Sequence, residues 1–176
     1  MEIVVINGAA GSGKDTFVSR VVEILGEERC YNYSTIDFVK YLAIIAGWKG
    51  SKTPKDRKFL SDLKRVLTDW DDLPYKITEK EIESTATAFL ENGHFNDSVM
   101  FIHCREPEEI ERLATNFMAH TLIVRRAAAE EVKQINKSDN EVYNYSYEYV
   151  IENNGALEEL TESAKTYIVE ALGLKI

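Results

Sequence analysis

The chain has 176 residues, 44% of them apolar and 29% charged, with a net charge of −9. That balance suits one globular domain with a sizeable core. No apolar run approaches the roughly 20 residues of a membrane span, and a pI of about 4.9 argues against a non-specific nucleic-acid binder, which carries a basic bias.

The first residues already read as a strand, Ile3–Ile6 being an unbroken β-branched run of the kind buried on both faces, so no basic-then-apolar leader is expected. Gly8-Ala9-Ala10-Gly11-Ser12-Gly13-Lys14-Asp15-Thr16 follows. It fits G-x-x-x-x-G-K, with Asp15 where Ser or Thr is usual. Phe17, Val18, Val21, Val22, Ile24 and Leu25 then recur at helical spacing, with Gly26 as the stop. Successive backbone N–H groups at such a helix start form an anion nest, and a lysine at position 14 reaches the β- and γ-phosphates. A ligand-free glycine turn is the bland alternative. A dinucleotide fingerprint would need glycine where Thr16 stands.

Cys30–Ser34 reads as a second strand, and Thr35 as the cap of a helix ending at Gly47. After a turn-rich loop, Pro54 opens a helix carrying Phe59, Leu60, Leu63, Val66, Leu67 and Trp70. Asp71–Pro74 breaks it, and Thr78-Glu79-Lys80-Glu81 resembles a capping box ahead of another helix. Between Lys40 and Val66 stand eight Lys or Arg against two acids. This basic stretch in an acidic chain suits a small anionic ligand, although most of its lysines read as a solvated helix face. Val99–Cys104 is the third strand, Pro107 opens an acidic helix start, Thr121–Val124 is the fourth strand, and Ala127–Ile135 is helical. Tyr145–Ile151 reads as the fifth strand and Ala156–Leu172 as a last helix. The alternating Tyr143, Tyr145, Tyr147 and Tyr149 fit one strand face packed on the core, or a base-stacking surface. Cys30 and Cys104 lack metal or redox spacing and read as reduced packing residues of a cytoplasmic protein. His94, His103 and His120 are scattered, and none is assigned to a metal.

Strands alternating with helices predict an α/β fold with a parallel sheet and right-handed crossovers. Ligands of such sheets bind beyond the carboxyl ends of the strands. Ser34 and Asp37, Arg105 and Glu106, Arg125 and Arg126, and Asn153–Gly155 would all converge there with the phosphate loop.

Four segments carry a family likeness: the Gly13-Lys14-Asp15-Thr16 ending of the loop, Ser34–Lys40, Ile102-His103-Cys104-Arg105, and Tyr147–Leu160 with its Asn-Asn-Gly loop. In these the sequence resembles the nucleoside monophosphate kinase group of P-loop enzymes. The nearer likeness is to phage-type deoxynucleoside monophosphate kinases, with dephospho-coenzyme A kinases and phosphomevalonate kinases as relatives. The resemblance implies a three-layer P-loop NTPase fold with a five-stranded parallel sheet, in one domain spanning residues 1–176. Residues about 35–95 would form an acceptor-binding helical insert and about 125–142 a lid. It also implies ATP and Mg²⁺ as cofactors, and ATP-dependent transfer to a small phosphorylated acceptor, a nucleoside or deoxynucleoside monophosphate first. A kinase of another phosphorylated metabolite and a nucleotide-binding regulator without transfer are the alternatives. A monomer or a homodimer is expected, with no nucleic-acid polymer and no membrane as partner.

Under that reading Gly8, Ala10, Gly11, Ser12, Gly13, Lys14, Asp15 and Thr16 hold the nucleotide, with Asn153 and Gly155 beside the adenine. Lys14, Asp15, Arg105, Arg125 and Arg126 serve transfer. Asp37, Lys40, Arg57 and Arg105 bind the acceptor, because a guanidinium offers phosphate a planar fork. An ion pair of Arg105 with Glu106 or Asp37 is the plain alternative. A monoester acceptor needs no general base; a hydroxyl acceptor would, with Asp37 nearest. Asp15 is the candidate Mg²⁺ ligand, or orients the acceptor, or is simply an acid favourable to the helix dipole. Glu106 is the nearest acid for anchoring the metal at the end of strand three.

Overall fold

A computed structural model describes residues 1–131 and 141–176, with only the backbone at Glu141. Five strands, β1 (Glu2–Asn7), β2 (Cys30–Ser34), β3 (Val99–His103), β4 (His120–Arg125) and β5 (Tyr149–Glu152), form one sheet in the order β2-β3-β1-β4-β5. Every neighbouring pair is parallel, so the expected α/β architecture is what forms. The β-branched run explains the central position of β1. Val4, Val5 and Ile6 are fully buried, as a strand covered on both faces requires.

The period of two divides the core. Val4, Ile6 and Phe101 point to one face, beneath α1 (Lys14–Leu25) and the terminal helix. Val5, Met100 and Ile102 point to the other, where Tyr75, Ile82, Ile110 and Leu113 cover them. Those four belong to α4 (Leu73–Glu91) and α5 (Pro107–Phe117). Between β2 and α4 lie α2 (Asp37–Ile45) and α3 (Pro54–Asp71). After β4 comes α6 (Ala127–Glu130), and after β5 comes α7 (Leu157–Thr166), which runs on as a π-helical turn over Tyr167–Ala171.

Several boundaries differ from the sequence reading. Thr35 does not cap α2; its Oγ1 donates to the His103 carbonyl at 3.4 Å, while Asp37 accepts from the Ser34 amide at 3.0 Å. The Thr78 pattern is no cap either. Asp72 at φ 51 and Pro74 in the first turn start α4 earlier, leaving Thr78 inside the helix to bond the Pro74 carbonyl at 3.0 Å. Strand β5 begins at Tyr149, opposite Leu122, so Tyr145 and Tyr147 lie outside it. The apolar residues of α3 recur as expected, yet no residue of that helix is buried. The second half of the helix expected over Ala127–Ile135, and most of the lid expected at about 125–142, fall on residues 132–140, outside the described residues. Among the described residues, no helix is long and apolar enough to cross a membrane.

Candidate active site

The parallel register brings the strand ends to one edge. Ile6 and Ser34 both sit beside His103, and Arg125 sits beside Glu152. The segments that follow these residues therefore face a common space.

The phosphate loop leaves β1 at Asn7, a fully buried amide. Its Oδ1 accepts from the Gly8 amide at 2.8 Å, and its Nδ2 donates to the Tyr147 hydroxyl at 2.7 Å and the Arg105 carbonyl at 3.4 Å. Tyr147 in turn donates to the Val142 carbonyl at 2.9 Å. The tyrosine thus braces the loop from outside β5, a role that neither the strand-face nor the base-stacking reading of that series gave it. At Gly8 a Cβ would lie 2.5 Å from Ser12 Oγ and 2.7 Å from the Val124 carbonyl, so only glycine fits. Gly13 takes the left-handed conformation (φ 91) at the start of α1, and a Cβ there would collide with the Asn153 amide. Asn153 Nδ2 donates to the Ser12 carbonyl at 2.8 Å.

Two features fit a phosphate chain in this cradle. The first turn of α1 presents amides with no intrahelical acceptor. Ser12 Oγ is buried and, among the described residues, has no hydrogen-bond partner, which a phosphate oxygen would supply. Ala10, Gly11 and Thr16 stand exposed at the rim.

Lys14 is largely enclosed, and its ammonium rests 2.5 Å from Asp15 Oδ1, whose side chain is 83% exposed. Burial raises the Asp15 carboxyl, but the hydrogen bond and charge of Lys14, with His103 and Arg105, hold it below the ordinary carboxylate value. Asp15 is therefore an anion at the loop, suited to Mg²⁺. His103 is a member the sequence reading left unassigned. Its Nδ1 lies 3.7 Å from Asp15 Oδ1 and its Nε2 2.6 Å from Asn32 Oδ1. Burial, and then the charge of Lys14, lower its pKa to about 4, so the imidazole is neutral at physiological pH. An imidazole in a strand gives no sign of this; the strand-end position ahead of Arg105 was the available signal.

At the end of β3 Arg105 is half-buried, and α3 brings Arg57 within reach of its field. Burial lowers the Arg105 pKa; Glu106 opposes this, Arg57 adds to it, and Asp15 opposes it. Arg105 follows β3 at the strand edge, and the charges of Glu106, Arg57 and Asp15 all act on it, so a guanidinium pair and two carboxylates share this region. Asp37 and Lys40 pair at 2.7 Å, leaving both Asp37 oxygens engaged, since Oδ2 caps Ser34.

Behind them lies a buried charge cluster. Lys64 on α3, its side chain 12% exposed, sits 2.9 Å from Glu106 and 2.8 Å from Glu109. Burial disfavours the ammonium, but Glu109 and Glu106 outweigh it and raise the Lys64 pKa. Cys104 Sγ donates to Glu109 at 3.5 Å. Cys104, Glu106 and Glu109 are the cluster of metal-ligating residues found among the described residues. The Lys64 ammonium already pairs with both carboxylates, so Glu106 is tied to α3 and poorly placed to anchor a metal.

Arg125 makes a bidentate contact to Glu130 at 2.8 and 3.0 Å and lies over the Tyr143 ring. Arg126 is exposed at the start of α6. Asn154 Oδ1 accepts from the Ala127 amide at 2.8 Å. The Asn153–Gly155 loop therefore joins the phosphate loop to the α6 start, with Gly155 crowded by the Glu159 carboxylate.

No protein-family model and no curated protein matches the sequence. Solved structures to which the chain is similar include a sugar kinase from Janibacter sp. HTCC2649, at 16% identity over 100% of this chain and 99% of that one, with a TM-score of 0.49. The shikimate kinase of Aquifex aeolicus vf5 matches at 12% identity over 97% and 99%, with a TM-score of 0.48. The thymidylate kinase of Ehrlichia chaffeensis matches at 10% identity over 95% and 98%, with a TM-score of 0.44.

Proposed function

We propose that this chain is an ATP- and Mg²⁺-dependent kinase that transfers a phosphoryl group to a small phosphate monoester, a nucleoside or deoxynucleoside monophosphate, in the cytoplasm. The observation that carries this reading is the Arg57–Arg105 guanidinium pair at the same strand edge as Lys14 and Asp15. A nucleotide switch without an acceptor gives no reason for a guanidinium pair there. The engaged state of Asp37 favours a monoester over a hydroxyl acceptor, because an acceptor that is already an anion needs no general base.

Transfer between two polyanions is chiefly a matter of position and charge. Gly8–Thr16 holds the triphosphate, and Lys14 moves from Asp15 to the β- and γ-oxygens. Asp15 would hold Mg²⁺, which would supply charge neutralisation to the phosphate chain. Arg105 clamps the acceptor phosphate with Arg57 beside it, while the Asp37–Lys40 pair lines the acceptor approach. Arg126 is the residue assigned to the transferring phosphate, because Arg125 is committed to Glu130. Asn153 and Gly155 flank the adenine. Residues about 35–95 form the acceptor insert of one domain, and about 125–142 its lid.

A coupled ATP-consumption assay over a panel of ribo- and deoxyribonucleoside monophosphates, dephospho-coenzyme A and phosphorylated non-nucleotides tests this. Stimulation by one monophosphate is the expected result. Steady basal hydrolysis that no acceptor stimulates would overturn it.

A further inference from the structure

Asn7 carries the only polar side chain in the enclosed run Val4–Ala9, and it is fully buried. Burying an amide costs free energy unless its groups are paired. Here its oxygen and both its hydrogens are engaged, and by three separate segments. Oδ1 takes the Gly8 amide at the opening of the phosphate loop. One Nδ2 hydrogen meets the Tyr147 hydroxyl at 2.7 Å, and the other the Arg105 carbonyl at 3.4 Å.

The amide fits only one way round. The Gly8 N–H must face an acceptor, and the Arg105 carbonyl must face a donor. Tyr147 agrees with that orientation: its own proton goes to the Val142 carbonyl at 2.9 Å, which leaves its oxygen to accept. Tyr143, the residue after Val142, has its ring 5.6 Å from the Arg125 guanidinium. One side chain therefore joins the phosphate loop, the backbone of Arg105 and, through Tyr147, the stem beside Arg125. A polar network with every member satisfied holds a single geometry.

A residue that merely turned the chain after β1 would need the oxygen alone. Aspartate offers that oxygen, but its second oxygen would set a lone pair against the Arg105 carbonyl. The donor half of the amide is what singles out asparagine at this position, and that half is spent on Arg105 and Tyr147.

We infer that Asn7 is a positioning residue for phosphoryl transfer, with Tyr147 acting through it: the amide holds the phosphate loop and the Arg105 backbone at one separation and so sets the alignment of the two phosphates. The inference rests on the kinase reading above. Asn7, wholly enclosed, works only through the segments it holds. Transfer is sensitive to such placement, a shift of about 1 Å costing on the order of 100-fold.

The test is how ATP turnover divides between acceptor and water, measured with the monophosphate that stimulates the wild type. Tyr147→Phe removes one oxygen and keeps the ring, so circular dichroism should show the fold retained. Its ratio of transfer to hydrolysis should fall about 10-fold, with the KM for ATP within about twofold of wild type, and the ratio for Asn7→Ala should fall about 100-fold. Adding Tyr147→Phe to Asn7→Ala should lower the ratio little further, because the hydroxyl acts through the amide. Ratios unchanged in both single variants, transfer and hydrolysis falling in step, or fully additive losses in the double variant would overturn the inference while leaving the kinase reading in place. A wild type that no monophosphate stimulates would overturn that reading, and this inference with it.

Discussion

The phosphate loop and helix α3 both bring cations to the carboxyl edge of the sheet, but they are supported differently. The loop rises from a strand whose Val4, Val5 and Ile6 are wholly enclosed, and Asn7, Tyr147 and Asn153 fix its turn by hydrogen bonds at 2.7–2.8 Å. Helix α3 buries no residue; half-buried leucines and the Lys64 contact to Glu106 and Glu109 hold it. Apolar burial is non-directional and tolerant, so the loop is preformed by the core. A helix held by one enclosed ammonium keeps its place only while that charge is matched. The loop half is thus rigid, and the α3 half is latched.

This contrast can be broken most forcefully at the loop. Lys14→Ala should cost about 100- to 1,000-fold in kcat, the loss typical of one essential charge-stabilising donor, with the fold retained because Val4, Val5 and Ile6 form the core beneath the loop. Equal activity in the variant would remove the loop from the chemistry. The latch is tested by Lys64→Met, which leaves two carboxylates facing each other. Urea unfolding should show a loss of roughly 3 kcal/mol, reduced from the fully buried case because Glu106 is partly exposed. The KM for the acceptor should rise while that for ATP stays put; a parallel rise in both would show that α3 and the loop are not separately supported.

The smallest expected effect lies where the halves meet. Unfolded His103 titrates near the ordinary histidine value of about 6.5, whereas the folded side chain titrates at about 4. Between these values the unfolded chain binds the extra proton, so stability falls as pH drops from about 6.5 toward 4, by on the order of 2 kcal/mol. Above about 6.5 this residue contributes no slope. NMR titration should place the imidazole midpoint near 4, and a His103→Asn variant should lose that part of the acid slope. A midpoint near 6.5 would mean that the ring is not enclosed between the loop and β2.

The rigid half was legible in the sequence because its determinants are local. The run Ile3–Ile6, the spacing of Gly8, Gly13 and Lys14, and the periodicity through Leu25 are contiguous, and they form the strand, loop and helix expected. The latched half was less legible because its determinants are distant. Lys64 looks like any lysine of a basic helix, and only the fold shows Glu106 and Glu109 beneath it. The stripe from Phe59 to Trp70 marks a face at helical period, but periodicity does not say whether a face is covered, and Phe59, Val66 and Trp70 are exposed. The pattern at Thr78 matched a capping box, yet Pro74 in the first turn goes with a helix start six residues earlier, at Asp72. The alternating tyrosines suggested a long strand. The ladder with β4 starts only at Tyr149, freeing Tyr147 to reach Asn7 and Tyr145 to reach Glu111 at 2.8 Å.

The Asn153 side chain, seated on the backbone of Ser12 and Gly13, carries a consequence for synthesis on the ribosome. The glycine loop is translated ahead of the amide that fixes its turn, which comes some 140 residues later. β5, which positions that amide, is the last strand to emerge. A nascent chain therefore carries the whole glycine motif long before it owns the folded cradle, so any ligand of that cradle meets the finished fold and comes too late to template it.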